Sequence, residues 1–284
     1  MSKQIVLLTG GLSGIGLAVA ERLAKDSEKR FLVIATVISM SEKGDLVNAL
    51  GDALDSTAFI EELDITNDDS IASVVESVIA KHGRIDILMN IAGVQVFGVV
   101  DQISRKQVDL AFNVNTIGTI RLTQSVLPHM KRQMAGKSFR LRAYTACMVG
   151  AMHGELYAAS KFAVEGFFES FALVARAYNI WPCVIEPAGV QTPLLDGIIQ
   201  SLQKVGTGES GSEIDQAKAA KNAEVLGGGV FTVPMEDVVA TFMKIVEDPK
   251  PALRHPVFGA KRGGLDFFSD PTAEQYIAAM KTSE

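Results

Sequence analysis

Two periodicities alternate along this chain. Short strand-like runs, most of them largely apolar, occupy residues 5–9, 31–37, 58–63, 85–90, 139–145 and 182–186. Between them lie stretches whose apolar residues recur three and four apart, at 71–81, 108–134 and 156–178, the spacing of one helical face. A strand that is apolar along its whole length is buried on both sides, as strands of a parallel sheet are. Strands alternating with helices predict βαβ units and a parallel sheet with helices on both faces. Right-handed crossovers make this a doubly wound α/β fold, with ligands expected beyond the carboxyl ends of the strands. A length of 284 residues suits one large α/β domain, so residues 1–284 are read as a single unit. Two stretches disturb the pattern. The run Phe139-Arg140-Leu141-Arg142-Ala143-Tyr144 alternates, so its arginines must be paired or pushed to the strand's entrance. Residues 197–229, rich in Gly, Ser and charge around 206–211, read as a mobile excursion serving as a substrate-side lid.

The first strand runs into Thr9-Gly10-Gly11-Leu12-Ser13-Gly14-Ile15-Gly16, and a helical pattern follows from Leu17 to Ala24. Strand, glycine turn and helix in that order form the dinucleotide fingerprint of a Rossmann fold. Glycines let the backbone turn tightly against a pyrophosphate, while the helix start offers free N–H groups and a positive dipole end. A glycine loop without a ligand is the plainer alternative. Farther on, Tyr157 and Lys161 stand four residues apart in a helical run, one turn apart on one face. An ammonium beside a phenol stabilises the phenolate and lowers its pKa from about 10. The tyrosine then serves as an acid or base near neutral pH. Such a pair arises by chance on solvated helices; the glycine turn upstream gives it weight.

Together these motifs resemble the short-chain dehydrogenase/reductase family over nearly the whole chain. TGxxxGxG stands at Thr9 to Gly16 and YxxxK at Tyr157 to Lys161. Between them come Leu63-Asp64-Ile65, Asn90-Ile91-Ala92-Gly93 and Asn113-Val114-Asn115, and after them Glu186 to Pro193 in the place of PGxxxT. The runs from Lys161 to Ser170 and from Val126 to Arg132 are similar to the steroid and retinol dehydrogenase branch. The resemblance implies interconversion of an alcohol and a carbonyl with NAD(H) or NADP(H). Tyr157 would exchange the proton, Lys161 would lower its pKa and hold ribose hydroxyls, and Asn115 would hold a water linking the lysine to solvent. Gly10, Ser13, Gly14, Ile15 and Gly16 would cradle the pyrophosphate. Asp64 and Ile65 would meet the adenine, and Asn90, Ala92 and Gly93 its ribose. Pro187, Val190 and Thr192 would meet the nicotinamide carboxamide. Plainer roles compete for two of these: Asn115 as a backbone capper, and Asp64 as a helix cap ahead of Thr66-Asn67-Asp68-Asp69. The resemblance also implies a homodimer through the helices bearing Asn115 and Tyr157.

Departures from the family pattern cluster around the same site. Tyr144 occupies the place of the family's serine, thirteen residues before Tyr157; its neighbour Thr145 supplies the missing hydroxyl, or Tyr144 itself reaches in, or the site lacks that member. Ile91 replaces the second Asn of NNAG. Leu12 and Ile38 stand where the related steroid dehydrogenase has Ser and Arg for the NADP phosphate, which leans the cofactor toward NAD(H), with Lys43 or Lys3 as basic substitutes. The substrate is expected to be hydrophobic (steroid-, retinoid- or polyketide-like) in a pocket of Val94, Val96, Phe97, Val149, Met152, Leu194 and Leu195. His153 reads as an exposed loop histidine, or as a partner for a polar substrate end. A catalytically impaired nucleotide-binding pseudoenzyme, acting as sensor or scaffold, is the alternative function; a lyase or isomerase using the same tyrosine is a third. A net charge of −6 argues against nucleic-acid and anionic-membrane surfaces. Cys147 and Cys183 alone provide neither a disulfide framework nor a cysteine-rich zinc site, and read as core thiols. Without a leader pattern or an apolar run of about 18 residues, a soluble cytoplasmic protein with no transmembrane segment is expected.

Overall fold

The computed structural model describes residues 3–141, 152–229 and 232–257. Its strands are β1 (Gln4–Thr9), β2 (Phe31–Val37), β3 (Ala58–Glu62), β4 (Ile87–Asn90), β5 (Gly136–Leu141), β6 (Ile180–Pro187) and β7 (Arg254–Val257). They pair in parallel in the order β3-β2-β1-β4-β5-β6-β7. From β1 the chain winds outward to β3 and then crosses back to β4. The order therefore reverses at the β1–β4 seam, where ligands of doubly wound sheets bind. The helices are α1 (Gly14–Ala24), α2 (Gly44–Leu50), α3 (Asp68–His82), α4 (Arg105–Phe112), α5 (Thr119–Gln133), α6 (Glu155–Ala175), α7 (Pro193–Lys204), α8 (Glu213–Gly227) and α9 (Met235–Glu247).

The two-residue period of a strand sorts the core into two layers. Val6 and Leu8 of β1 face α1 and α9 through Val19, Leu23, Val238 and Phe242. Ile5 and Leu7 of the same strand face α3 and α5 through Val74, Val78, Leu122 and Val126. Helices thus cover both faces, as the patterning predicted.

Four elements differ from the sequence reading. First, β5 starts at Gly136, with Lys137 opposite Ile87 and Arg140 opposite Asn90. The polar start Gly136-Lys137-Ser138 hid it, and residues 142–145 lie outside the described residues. Arg140 therefore sits in the carboxyl half of the strand and not at its entrance. Second, the helical window 108–134 is two helices joined by a π-helical turn at Asn113–Gly118. Third, residues 197–229 are mostly helical, forming α7 and α8 around a short turn at Val205–Glu209. Glycine is confined to the turn and the ends, while a Ser212–Asp215 capping box starts α8. Fourth, β7 escaped notice because Arg, His and Pro suit only a sheet edge.

That edge strand is anchored by charge. Arg254 reaches Glu165 and Glu169 of α6 and Glu186 of β6, donating from Nη1 to Glu186 Oε1 at 2.8 Å. Burial works against its charge, yet Glu169, Glu165 and Glu186 together hold the guanidinium above its ordinary range. Glu186 is almost fully buried while Arg254 keeps 38% of its side-chain surface, so the cluster lies between the buried and surface regimes. Arg254→Met is expected to lower stability by roughly 1–3 kcal/mol, measured by urea unfolding at neutral pH.

Candidate active site

At the end of β1, Thr9 Oγ1 accepts hydrogen bonds from the N–H groups of Ile91 and Ala92, both at 3.1 Å. The backbone leaving β4 is thereby held against the backbone leaving β1. There is no room for side chains in the turn: a Cβ on Gly10 would stand 2.8 Å from the Ala92 backbone, and one on Gly16 only 2.0 Å from the Gly10 carbonyl oxygen. Gly10 also has a φ of 76°, a conformation that glycine alone adopts freely. Ser13 caps α1 with its extended backbone, and its side chain makes no capping bond. The first-turn N–H groups of α1 have no intrahelical acceptors, and with the helix dipole they suit an anion. Ile91, standing where the family has Asn, packs its side chain on the core, and Thr9 supplies the polar tie between the strands.

The second half of the site comes from α6. Tyr157 and Lys161 are 4% and 6% exposed, and Lys161 Nζ stands 5.2 Å from the Tyr157 ring centroid. Beside them is Gly93, where an added Cβ would lie 3.1 Å from Lys161 Nζ and 3.0 Å from Asn115 Oδ1. Asn115 belongs to the π turn, a geometry that re-aims a helical side chain. Its Oδ1 accepts from Val94 N at 2.9 Å, while Nδ2 donates to Val94 O at 2.9 Å and Ser160 Oγ at 3.0 Å. Ser160 Oγ donates onward to the Tyr157 carbonyl at 2.7 Å. One amide thus ties the loop after β4 to the helix that carries Tyr157.

Both halves open on one cavity of about 690 Å³. Gly10, Ser13, Gly14, Ile15, Gly16, Asp64, Ile65, Ala92, Gly93, Tyr157, Lys161, Pro187, Val190 and Thr192 all line it. Two expected contacts stand behind the wall instead: Asn115, as described, and Asn90, which donates from Nδ2 to Thr123 Oγ1 at 3.3 Å. Thr145, Tyr144, Val149 and Cys147 lie outside the described residues; Cys183 is buried. Asp64 does not cap α3. Its Oδ1 closes its own turn with Thr66 N and Oγ1 at 2.8 and 2.7 Å, and Asn67 caps the helix through Asp69 N and Ser70 N. Thr192 caps α7 and donates to Val190 O at 3.1 Å. Lys3 precedes β1 and lies at the opposite end of the sheet, about 20 Å away by strand rise, so only Lys43 remains near the cofactor end.

Phe97, Met152, Leu194 and Leu195 line the apolar part of the cavity as expected, and Val96 is core. The Phe97 and Tyr157 rings are 5.8 Å apart. The sequence reading missed α8, which adds Asn222, Val225 and Leu226. Buried Asn222 donates from Nδ2 to the Met152 carbonyl at 2.9 Å. The serine–aspartate spacing at its start was the available signal. His153 is not an exposed loop residue. It is buried with a φ of 58°, its carbonyl accepts from Gly98 N at 2.8 Å, and its Nδ1 has no hydrogen-bond partner among the described residues.

A glycine cradle that opens on the same cavity as a buried Tyr–Lys pair is the arrangement of a nicotinamide-dependent oxidoreductase of the doubly wound class. Comparison with known proteins narrows the class. Residues 4–202 match the family model for short chain dehydrogenase. Retinol dehydrogenase 8 of Bos taurus is 34% identical over 255 residues, covering 88% of this chain and 80% of the relative. Human 17-beta-hydroxysteroid dehydrogenase type 1 is 30% identical over 289 residues, covering 99% and 85%. Among solved structures, a metagenomic short-chain oxidoreductase in complex with NADP aligns with a TM-score of 0.60 and 25% identity, over 66% of this chain and 82% of that one. The chain belongs to the short-chain dehydrogenase family, and it is an NAD(P)-dependent oxidoreductase acting on CH–OH groups. No helix among the described residues is long and apolar enough to cross a membrane.

Thr9→Val keeps the volume of the side chain but leaves two N–H groups without their acceptor. It is expected to lower stability by about 1–3 kcal/mol and to weaken NADH binding, checked by thermal unfolding and fluorescence titration.

Proposed function

We propose that this protein interconverts a hydroxyl and a carbonyl on a hydrophobic small molecule of steroid-, retinoid- or polyketide-like kind. The observation that carries the reading is the position of Tyr157. Lys161 and Gly93 connect it to the glycine cradle on one side, and the Phe97 ring connects it to the apolar lining on the other. The relatives named for retinol and for a hydroxysteroid support the same substrate class.

The cradle from Gly10 to Gly16 would hold the pyrophosphate of a nicotinamide dinucleotide, Asp64 and Ile65 its adenine, and Pro187, Val190 and Thr192 its carboxamide. That group, when bound, supplies the hydride chemistry. The chain's own work is the proton. Tyr157 exchanges it with the substrate oxygen, Lys161 favours the phenolate and holds ribose hydroxyls, and Asn115 fixes the loop and helix around them. Thr145 supplies the hydrogen bond that a serine gives elsewhere in the family. NAD(H) is the preferred cofactor, because Leu12 and Ile38 line the cavity where an NADP phosphate would need donors. The α7–α8 pair serves as a lid over the substrate. A homodimer would cover the apolar residues exposed on the π turn and α6, Ile117, Phe162, Leu173 and Val174.

Tyr157→Phe is expected to abolish turnover in a screen of hydrophobic ketones and alcohols while leaving NADH affinity within about twofold. Turnover by that variant would sink the reading. Thr145→Ala is expected to cut kcat by about 100-fold with cofactor affinity almost intact; an unchanged rate would remove Thr145 from the mechanism.

A further inference from the structure

We propose that Glu62 selects the cofactor, its carboxylate reaching from β3 across the tip of β2 to disfavour a 2′-phosphate on the adenosine ribose. The inference rests on the dinucleotide reading above and names the residue that sets the choice between NAD(H) and NADP(H).

In doubly wound folds an acid at the tip of the second strand accepts the ribose hydroxyls of NAD, and an arginine nearby accommodates the phosphate of NADP. Here β2 ends in Val37 and is followed by Ile38, which can do neither. The neighbouring strand fills the gap. Glu62 is paired in register with Val37, and alternation along β3 sends it to the opposite face from Glu61. Glu61 is engaged on the α3 side with Ser77 Oγ at 3.1 Å and Lys81 Nζ at 2.8 Å. Glu62 Oε2 instead accepts the Met40 N–H at 2.8 Å. Met40 opens the 3₁₀ turn Met40–Glu42, two residues beyond Ile38.

Thr36, Val37 and Ile38 line the cavity from β2, and Leu63, Asp64 and Ile65 line it from β3. Glu62 immediately precedes the β3 segment and pairs with Val37 of the β2 segment, and its carboxylate accepts from the turn that follows β2. The hydroxyls of that turn are engaged with each other: Ser39 Oγ and Ser41 Oγ are 2.8 Å apart, and Ser39 Oγ also accepts from Ser41 N. Lys43, at the far end of the same turn, is the one basic residue there that would favour a phosphate. A phosphate adds a charge of about −1.5 to −2. Repulsion between it and a carboxylate in a surface dielectric changes affinity by about tenfold at moderate salt.

The test is fluorescence titration of NADH and NADPH with the full chain and with Glu62→Gln, Glu62→Asp, Glu61→Gln and Lys43→Gln, each checked for an intact melting transition. The wild type should bind NADH more tightly than NADPH. Glu62→Gln should tighten NADPH by about tenfold and leave NADH within about twofold, while Glu62→Asp and Glu61→Gln keep the wild-type ratio. Raising the salt should narrow the wild-type gap. The inference is overturned if both cofactors bind and their ratio ignores Glu62→Gln, or follows Lys43→Gln or Glu61→Gln instead. If the wild type binds neither cofactor, the dinucleotide reading falls and takes this inference with it; the two failures are thus distinguishable.

Discussion

A single hydroxyl, Thr9 Oγ1, takes two backbone N–H groups from the loop after β4 and closes the seam at which the sheet changes direction. Its partners lie 82 and 83 residues away in sequence, brought within reach by the pairing of β1 with β4. Everything the site needs then follows from closeness. With the two loops in contact, Gly10 must lack a side chain, and the turn that Gly10 begins presses Gly16 onto its own carbonyl. The start of α1 is thereby aimed into the opening between the strands. A cavity at this place is a consequence of topology; that it suits an anion is a consequence of the glycines.

The half that carries Tyr157 is assembled differently, by a buried polar chain and not by strand pairing. Asn115 meets both backbone groups of Val94 and the Ser160 hydroxyl, and Ser160 passes the link to the carbonyl of Tyr157. In a region of low dielectric, satisfied groups of this kind hold one geometry, because any displacement strands a donor or acceptor. The π turn makes this possible. A regular helix through residues 113–118 would point a different side chain at Val94, and Gly118 packs so closely on Ile65 that a Cβ there would lie 2.4 Å from its carbonyl oxygen.

Most of the fold was legible because buried parallel strands announce themselves. The run 31–37 was read to the residue, and β1 and β3 to within one residue at an end. Where polar residues enter a strand, the legibility ended. The Gly136-Lys137-Ser138 start of β5 and the Arg-His-Pro content of β7 carry no apolar run to detect. Region 197–229 misled for the opposite reason: its glycines drew attention to the turn and away from the Ala-rich helix beyond it. In the site, the residues that motif spacing singled out, Tyr157, Lys161 and the glycine cradle, open on one cavity. The same spacing puts Asn90 in the segment flanking the ribose but does not reveal that its Nδ2 donates to Thr123 Oγ1. Spacing fixes where a residue sits along the chain, while the face it presents depends on neighbours distant in sequence. Glu62 shows the same limit, since only the register of β3 on β2 brings its carboxylate to the turn that follows β2.

The bond from Asn222 to the Met152 carbonyl has a consequence for how this protein changes over time. It joins the helix that walls the apolar end of the cavity to the segment leading into α6 and Tyr157, with the Gly98–His153 backbone bond pinning that segment from the other side. Altering that wall therefore also shifts the footing of Tyr157. A substitution in α8 that displaces Asn222 is thus transmitted to residues that it never touches, so this wall cannot be remodelled one position at a time.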